Sequence, residues 1–259
     1  MVYTNKNVKI LIPLPSYGFD PTEAAIPWKL FSRAGFNVFF TTPKGTKADC
    51  DSIMLTGKGL GIWRNLLKAR KDAVIAYEEM YKNENYCKPL SYDQINPDEY
   101  DMIFLPGGHD KRVKEYLESA ILQSIIPQFF TPDKFVGAVC HGVLLLARSI
   151  NPASNKSVLY DYKTTSLLKS QEKLAYYLTK FWLGDYYLTY PETTIEDEVI
   201  SVLKDKNQFL HGNFPIFRDT PDHLKYGFTV RDRNYFSARW PGDIYTLSFS
   251  LIQTIKSIK

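Results

Sequence analysis

Phe135-Val136-Gly137-Ala138-Val139-Cys140-His141-Gly142-Val143-Leu144-Leu145-Leu146-Ala147 is the stretch on which the reading of this chain turns. Its first half is an apolar run with strand character that stops at Cys140. Gly142 then opens a run of good helix formers. A nucleophile at such a joint sits on a sharp elbow where strand and helix nearly collide. The residues two before and two after it must therefore be small, as Ala138 and Gly142 are. The thiol then lies over the N-terminus of the following helix, whose free N–H groups and positive dipole end favour the reactive thiolate. The alternative is a buried structural cysteine on a core strand, where free cysteines usually live. The A-x-C-H-G pattern between strand and helix favours the reactive thiol, which is expected to be alkylated near neutral pH ahead of Cys50 and Cys87.

Outward from the elbow, strands alternate with helices. Val8–Leu14 reads as a first buried strand, and Asp20 or Thr22 caps a helix running through Trp28 and Phe31 to Ala34. Gly35 supplies the stop. Pro27 predicts an irregular or kinked first turn. Residues 37–42 form a second strand, completing a βαβ unit that favours a parallel sheet. Residues 43–62 carry four glycines and no periodicity, and the spacing of apolar residues predicts one long amphipathic helix over 63–81. Asp101–Leu105 is a third core strand ending in Pro106-Gly107-Gly108-His109, followed by a short helical stretch around 117–130. The pattern indicates an open doubly wound sheet, whose ligand crevice lies at the strand C-terminal ends. Gly107-Gly108 and Cys140 both lie at such ends.

Beyond Ser149 the pattern loosens. Helices are predicted over 169–183 and 194–203, a hairpin over 227–231 and 235–239 with Asp232-Arg233-Asn234 at its turn, and a last helix from Pro241-Gly242-Asp243 to the end. Seven aromatics crowd between Tyr176 and Tyr190. They either wall a pocket, make a subunit contact, or are core, and core is the usual use of such a stripe. There is no internal repeat and no linker long enough to divide 1–259, so a single domain is expected.

Composition narrows the function classes. Hydrophobic residues make up 44% of the 259, ample for a core. Thirty-two basic and 28 acidic residues give only +4, scattered, which argues against a nucleic-acid partner. No apolar run approaches the length that spans a membrane, and Met1–Lys6 lacks the order of a secretory signal. Three widely spaced cysteines suggest free thiols in a reducing compartment. A cytoplasmic protein with no metal or cofactor is expected.

Gly18-Phe19-Asp20-Pro21-Thr22-Glu23-Ala24-Ala25-Ile26-Pro27-Trp28, Pro106-Gly107-Gly108-His109-Asp110 and Ala138-Val139-Cys140-His141-Gly142, in that order and spacing, resemble the DJ-1/PfpI superfamily, above all its larger heat-shock-type members related to class I glutamine amidotransferases. The resemblance covers most of 8–150 and, loosely, 227–258; residues 43–95 and 152–225 look like insertions. It implies a flavodoxin-like α/β three-layer sandwich, usually a homodimer, with a Cys–Glu pair at its centre. Cys140 is then the nucleophile and Glu23 the carboxylic acid that donates a hydrogen bond to its thiolate, a role burial beside an anion promotes. The Gly107-Gly108 turn and His141 supply the backbone N–H groups of an oxyanion hole. His141 matches the histidine that follows the cysteine in some members, though its imidazole need not touch the thiol. Some members carry a third, orienting carboxylate: here Glu172 is the first choice and Asp161 the second. His109 is either a loop hydrogen-bonder or a participant.

A glutamine amidotransferase needs a downstream histidine followed two residues later by glutamate. Asn213 and Lys225 stand at those positions after His211 and His223. A dienelactone-hydrolase-type elbow begins with glycine where this chain has Ala138. The leading expectation is a cysteine enzyme acting on a small electrophile, most directly glutathione-independent glyoxalase-type conversion of an α-oxoaldehyde to a hydroxy acid. The alternatives are a stress-responsive holdase chaperone or redox sensor with an oxidisable Cys140, or a cysteine hydrolase or peptidase-like member.

Overall fold

The computed structural model describes residues 8–258; the Met1–Lys6 stretch lies outside them. Seven strands make the central sheet: β1 Lys9–Pro13, β2 Asn37–Thr42, β3 Leu90–Ser91, β4 Met102–Leu105, β5 Phe135–Val139, β6 Thr229–Asp232 and β7 Tyr235–Ala238. Their order is β6-β7-β5-β4-β1-β2-β3, and every neighbouring pair is parallel except the β6–β7 hairpin. This is the expected flavodoxin-like α/β arrangement. The chain leaves β1 to build one half of the sheet and returns to β4 to build the other. The crevice at the C-terminal ends of β1 and β4 is therefore the switch point where such sheets bind ligands.

Helices cover both faces. On one side α1 Pro21–Arg33, α2 Lys71–Met80 and α7 Ile244–Ile258 pack together. On the other, α4 Gly142–Arg148 packs against α3 Ala120–Ile125 and α6 Ile195–Ser201. β5 is buried along its whole length, and so is α4 from Gly142 to Ala147. A helix apolar all round belongs at the centre of a fold, which is where the elbow places it. α5 Lys169–Leu183 lies outside this frame.

Two local expectations change. Pro27 does not interrupt α1, which begins at Pro21 directly after its cap Asp20 and runs unbroken to Arg33. Pro21, at the first helical position, costs nothing because that N–H has no helical partner anyway. Pro27, seven residues in, removes one interior hydrogen bond, to Glu23 O, without ending the helix. The long helix over 63–81 is instead two: Arg64–Leu67 and α2, with Lys68 extended between them. The cause is tertiary. The guanidinium of Arg218 donates to the carbonyls of Leu66, Leu67 and Lys68, and Ala69 N–H turns away to Met54 O at 2.8 Å. No periodicity in 63–81 records a cap supplied from residue 218.

Within β5, Gly137 has no room for a side chain: a Cβ there would stand 2.7 Å from Phe104 Cδ2 and 2.9 Å from Leu251 Cδ1. Gly137→Val is expected to destabilise the protein by about 1–3 kcal/mol, the usual cost of overpacking. Urea unfolding checks this, and an unchanged midpoint would refute the packing described.

Candidate active site

Three loop ends converge at the C-terminal edge of the sheet. After β1, Asp20 caps α1, its Oδ1 accepting from Thr22 N–H at 2.7 Å and Glu23 N–H at 3.1 Å. That fixes Glu23 in the first turn, pointing inward and wholly buried. After β4, the Pro106–Gly108 turn brings Gly107 N–H to Glu23 Oε2 at 2.7 Å, while Gly107 O accepts from Asp20 N–H at 2.8 Å. After β5, Cys140 adopts φ 57°, the left-handed conformation that costs a non-glycine residue about 1–2 kcal/mol. The elbow is held from both sides, by Cys140 N–H donating to Ala238 O at 3.1 Å and by Gly142, whose Cβ would lie 2.2 Å from Leu105 O.

The Glu23 carboxyl and the Cys140 thiol sit close enough for each to shift the other's titration. Burial, then the charge of Asp20, pushes Glu23 well above the ordinary carboxylate range. Burial, then the charge of Glu23, pushes the Cys140 thiol up; the N–H of His141 opposes this. Glu23 Oε1 is buried without a well-directed donor. The resting pair thus resists ionisation, and the helix N-terminus at Cys140 does not by itself make a thiolate. The expectation that Cys140 is alkylated ahead of the other cysteines meets a different environment: Cys140 is buried, whereas Cys87 is exposed.

His141 does face the thiol, contrary to the expectation that adjacent elbow residues diverge. Its Nδ1 lies 3.3 Å from Cys140 Sγ, and its Nε2 lies 3.0 Å from Thr189 Oγ1. Thr189 also donates to His109 O at 3.3 Å. With its hydroxyl proton so committed, Thr189 Oγ1 accepts from Nε2–H, which leaves the Nδ1 lone pair facing the thiol. Burial and the adjacent His109 hold His141 well below the usual imidazole range, hence neutral. The arrangement is a neutral base beside a neutral thiol.

Of the other candidates, Gly107 N–H is taken by Glu23, whereas Gly108 N–H meets no acceptor among the described residues and is the N–H of the turn left uncommitted. Glu172 is not brought to His141: it is buried in the first turn of α5, where Oε2 accepts from Ile195 N–H at 3.1 Å and caps α6. Burial holds it at about 7. Asp161 is exposed and pairs with Lys204. A threonine stands where the third carboxylate was expected, and nothing in the sequence around Thr189 marks it. His109 packs edge-on against His141 and Tyr187, ring centroids 4.9 and 4.8 Å away, and burial pushes it down to about 4. The aromatic stripe 176–190 divides: Tyr187 is buried beside His109 and Tyr186 bonds Asp51, while Tyr177, Phe181 and Trp182 are exposed.

The wall beside the site is pinned by Arg239, which follows β7. Its guanidinium, wholly buried, forks onto Asp243 at 2.8 and 2.9 Å and donates to His211 O and Asn213 O.

Two outcomes follow from these environments. Brief iodoacetamide treatment near neutral pH should label Cys87 well ahead of Cys140 and Cys50, read by peptide mapping; Cys140 labelled first would contradict its burial. Glu23 has a folded pKa raised above its unfolded value near 4.3. Its contribution to stability is complete below that unfolded value and is lost as pH rises through the folded one. Glu23→Gln keeps the acceptor for Gly107 N–H and removes the dependence. The variant should melt above wild type at pH 8 and close to it at pH 4; an equal difference at both pH values would count against a buried ionisable Glu23.

Residues 14–212 match the family described as ThiJ/PfpI family-like. An uncharacterized protein of Schizosaccharomyces pombe is 25% identical over 186 residues, 68% of either chain. A glutathione-independent glyoxalase of the same yeast is 30% identical over 158 residues, 60% of this chain and 62% of its own length. Glyoxalase III of Candida albicans superposes with a TM-score of 0.67 over 95% of this chain and 96% of that one; at 17% identity the likeness is one of fold. The family match spans well over half of the sequence, and the chain belongs to the ThiJ/PfpI-like family of the DJ-1/PfpI superfamily.

Proposed function

We propose that this protein is a cysteine-dependent, glutathione-independent glyoxalase-type enzyme converting an α-oxoaldehyde, R–CO–CHO, and water into the 2-hydroxy acid R–CHOH–COOH. The observation that carries the reading is the buried convergence of the Cys140 thiol, a neutral imidazole nitrogen 3.3 Å away and a protonatable carboxyl. The glyoxalase relatives support it.

In this reading Cys140 Sγ adds to the aldehyde carbon as its proton passes to His141 Nδ1. The aldehyde oxygen, gaining charge, takes the N–H of Gly108. His141 returns that proton to the adduct's oxygen and, neutral again, takes the proton from the former aldehyde carbon while the Glu23 carboxyl protonates the keto oxygen. His141 then delivers its proton to the keto carbon as the O–H on the first carbon gives its proton back to Glu23. The product is a thioester at the first carbon and a hydroxyl at the second. Water cleaves the C–S bond, and sulfur leaves with its proton restored. One carbon is oxidised and its neighbour reduced, so no external oxidant is needed. Thr189 acts through His141, holding the tautomer that presents Nδ1 to sulfur, and is a positioning residue.

The test is conversion of methylglyoxal to lactate. Cys140→Ala should abolish turnover. Glu23→Gln should lower kcat by about 10²–10⁴-fold, the usual worth of a positioned proton-transfer group. Thr189→Val should lower kcat by roughly tenfold or more and move its pH profile, whereas Thr189→Ser restores both. Near-wild-type kcat in Glu23→Gln would end the role given to that residue.

A further inference from the structure

A cavity of about 320 Å³ lies between α5, the Arg64–Leu67 turn and the segment 214–218. Its walls are largely apolar, with Leu67, Leu178, Ile216 and Trp240 among them. It is polar at one end, where Asp20, His109, Tyr187 and Arg218 line it. Glu23, Cys140 and His141 do not themselves line that end; it adjoins them through Asp20 and His109. Asp20 caps the helix turn that holds Glu23, and the His109 ring lies 4.9 Å from that of His141. His109 Nδ1 is buried with no hydrogen-bond partner among the described residues, a polar atom awaiting one. The cavity's one guanidinium is already committed, because Arg218 donates to the carbonyls of Leu66, Leu67 and Lys68. Among the described residues lining the cavity, none is a cation without hydrogen-bond partners to offer an anionic substituent.

A larger hollow, of about 550 Å³, opens at the opposite edge of the sheet beside Val136 and Tyr235. Its Lys134 and Arg233 are likewise occupied, by the carbonyls of Pro97, Tyr100 and Asp161. It lies at the other ends of β5 and β7 from the elbow.

Methylglyoxal has five heavy atoms and displaces little more than two or three waters, roughly 30 Å³ each. It would leave most of the apolar cavity beside the site unfilled, whereas pockets of about 300 Å³ and upward suit larger ligands. We infer that the preferred substrate is an α-oxoaldehyde with an uncharged apolar substituent of about six to eight carbons, aryl or alkyl, seated in this cavity. His109 lies where the substituent meets the reacting carbonyls. The inference rests on the glyoxalase reading and names the substrate class of that site; the reaction and its balance are unchanged.

The experiment compares kcat/KM for methylglyoxal, 2-oxooctanal and phenylglyoxal, with Cys140→Ala as the blank for each. Each buried methylene should raise kcat/KM by about fourfold until the cavity is full. Phenylglyoxal should exceed methylglyoxal by about tenfold or more. Ala175 lies on the cavity wall. Ala175→Trp should fill it and lower the phenylglyoxal-to-methylglyoxal ratio by about tenfold or more. Leu178→Phe, on the same wall, serves if the first variant does not fold. The ratio is the readout, since a general loss of folded enzyme leaves it unmoved. Cys140-dependent turnover that favours methylglyoxal, or a ratio unaffected by either variant, overturns the cavity assignment and leaves the glyoxalase reading standing. Absence of Cys140-dependent turnover of all three aldehydes overturns both.

Discussion

The structure depends on a backbone contact that tolerates no side chain. Where β4 ends, Leu105 O comes so near the elbow that a Cβ on Gly142 would lie 2.2 Å from it, and a Cβ on Gly107 would lie 2.6 Å from His141 N. Two chain segments more than thirty residues apart thus meet backbone to backbone. The candidate site is built on that meeting. It brings Gly107 N–H to Glu23, and Cys140 beside it takes up its left-handed conformation. The strain at Cys140 is tolerable because hydrogen bonds and packing on both sides over-determine it.

Around this contact the protein has buried acids beside one another with little positive charge to offset them. Asp20, Glu23 and the thiol each resist ionisation because burial disfavours the charged form and each negative charge disfavours the next. A site of this kind keeps its protons at rest. His141, neutral and oriented by a hydroxyl instead of a carboxylate, suits that economy, since a charged third residue would add another anion to an already crowded edge.

Much of this was legible in the sequence because it is locally encoded. The elbow is written in Ala138, Cys140 and Gly142; the start of α1 in Asp20; the bounds of α5 in the periodicity of 169–183; and the hairpin in Asp232-Arg233-Asn234. What escaped is what distant residues decide. The break between Arg64–Leu67 and α2 follows from Arg218, some 150 residues on. Edge strand β3 is two residues long, too short for any period to show. The partner of His141 is a threonine in a stretch of aromatics, where a hydroxyl carries no signal. Glu172 had the residue type and spacing expected of an orienting carboxylate, yet its carboxyl serves the start of another helix.

Arg239 has a bearing on how such a protein changes over generations. It holds the chain at His211 and Asn213 through their main-chain carbonyls, and it follows Ala238, whose own carbonyl holds Cys140 N–H. The attachment is therefore indifferent to which side chains the strip 214–217 carries. Phe214, Pro215 and Ile216 can be exchanged for other residues while the anchor and the elbow stay where they are. On the proposed assignment of the cavity, point substitution in this strip would recut ligand preference while leaving the elbow at Cys140 in place.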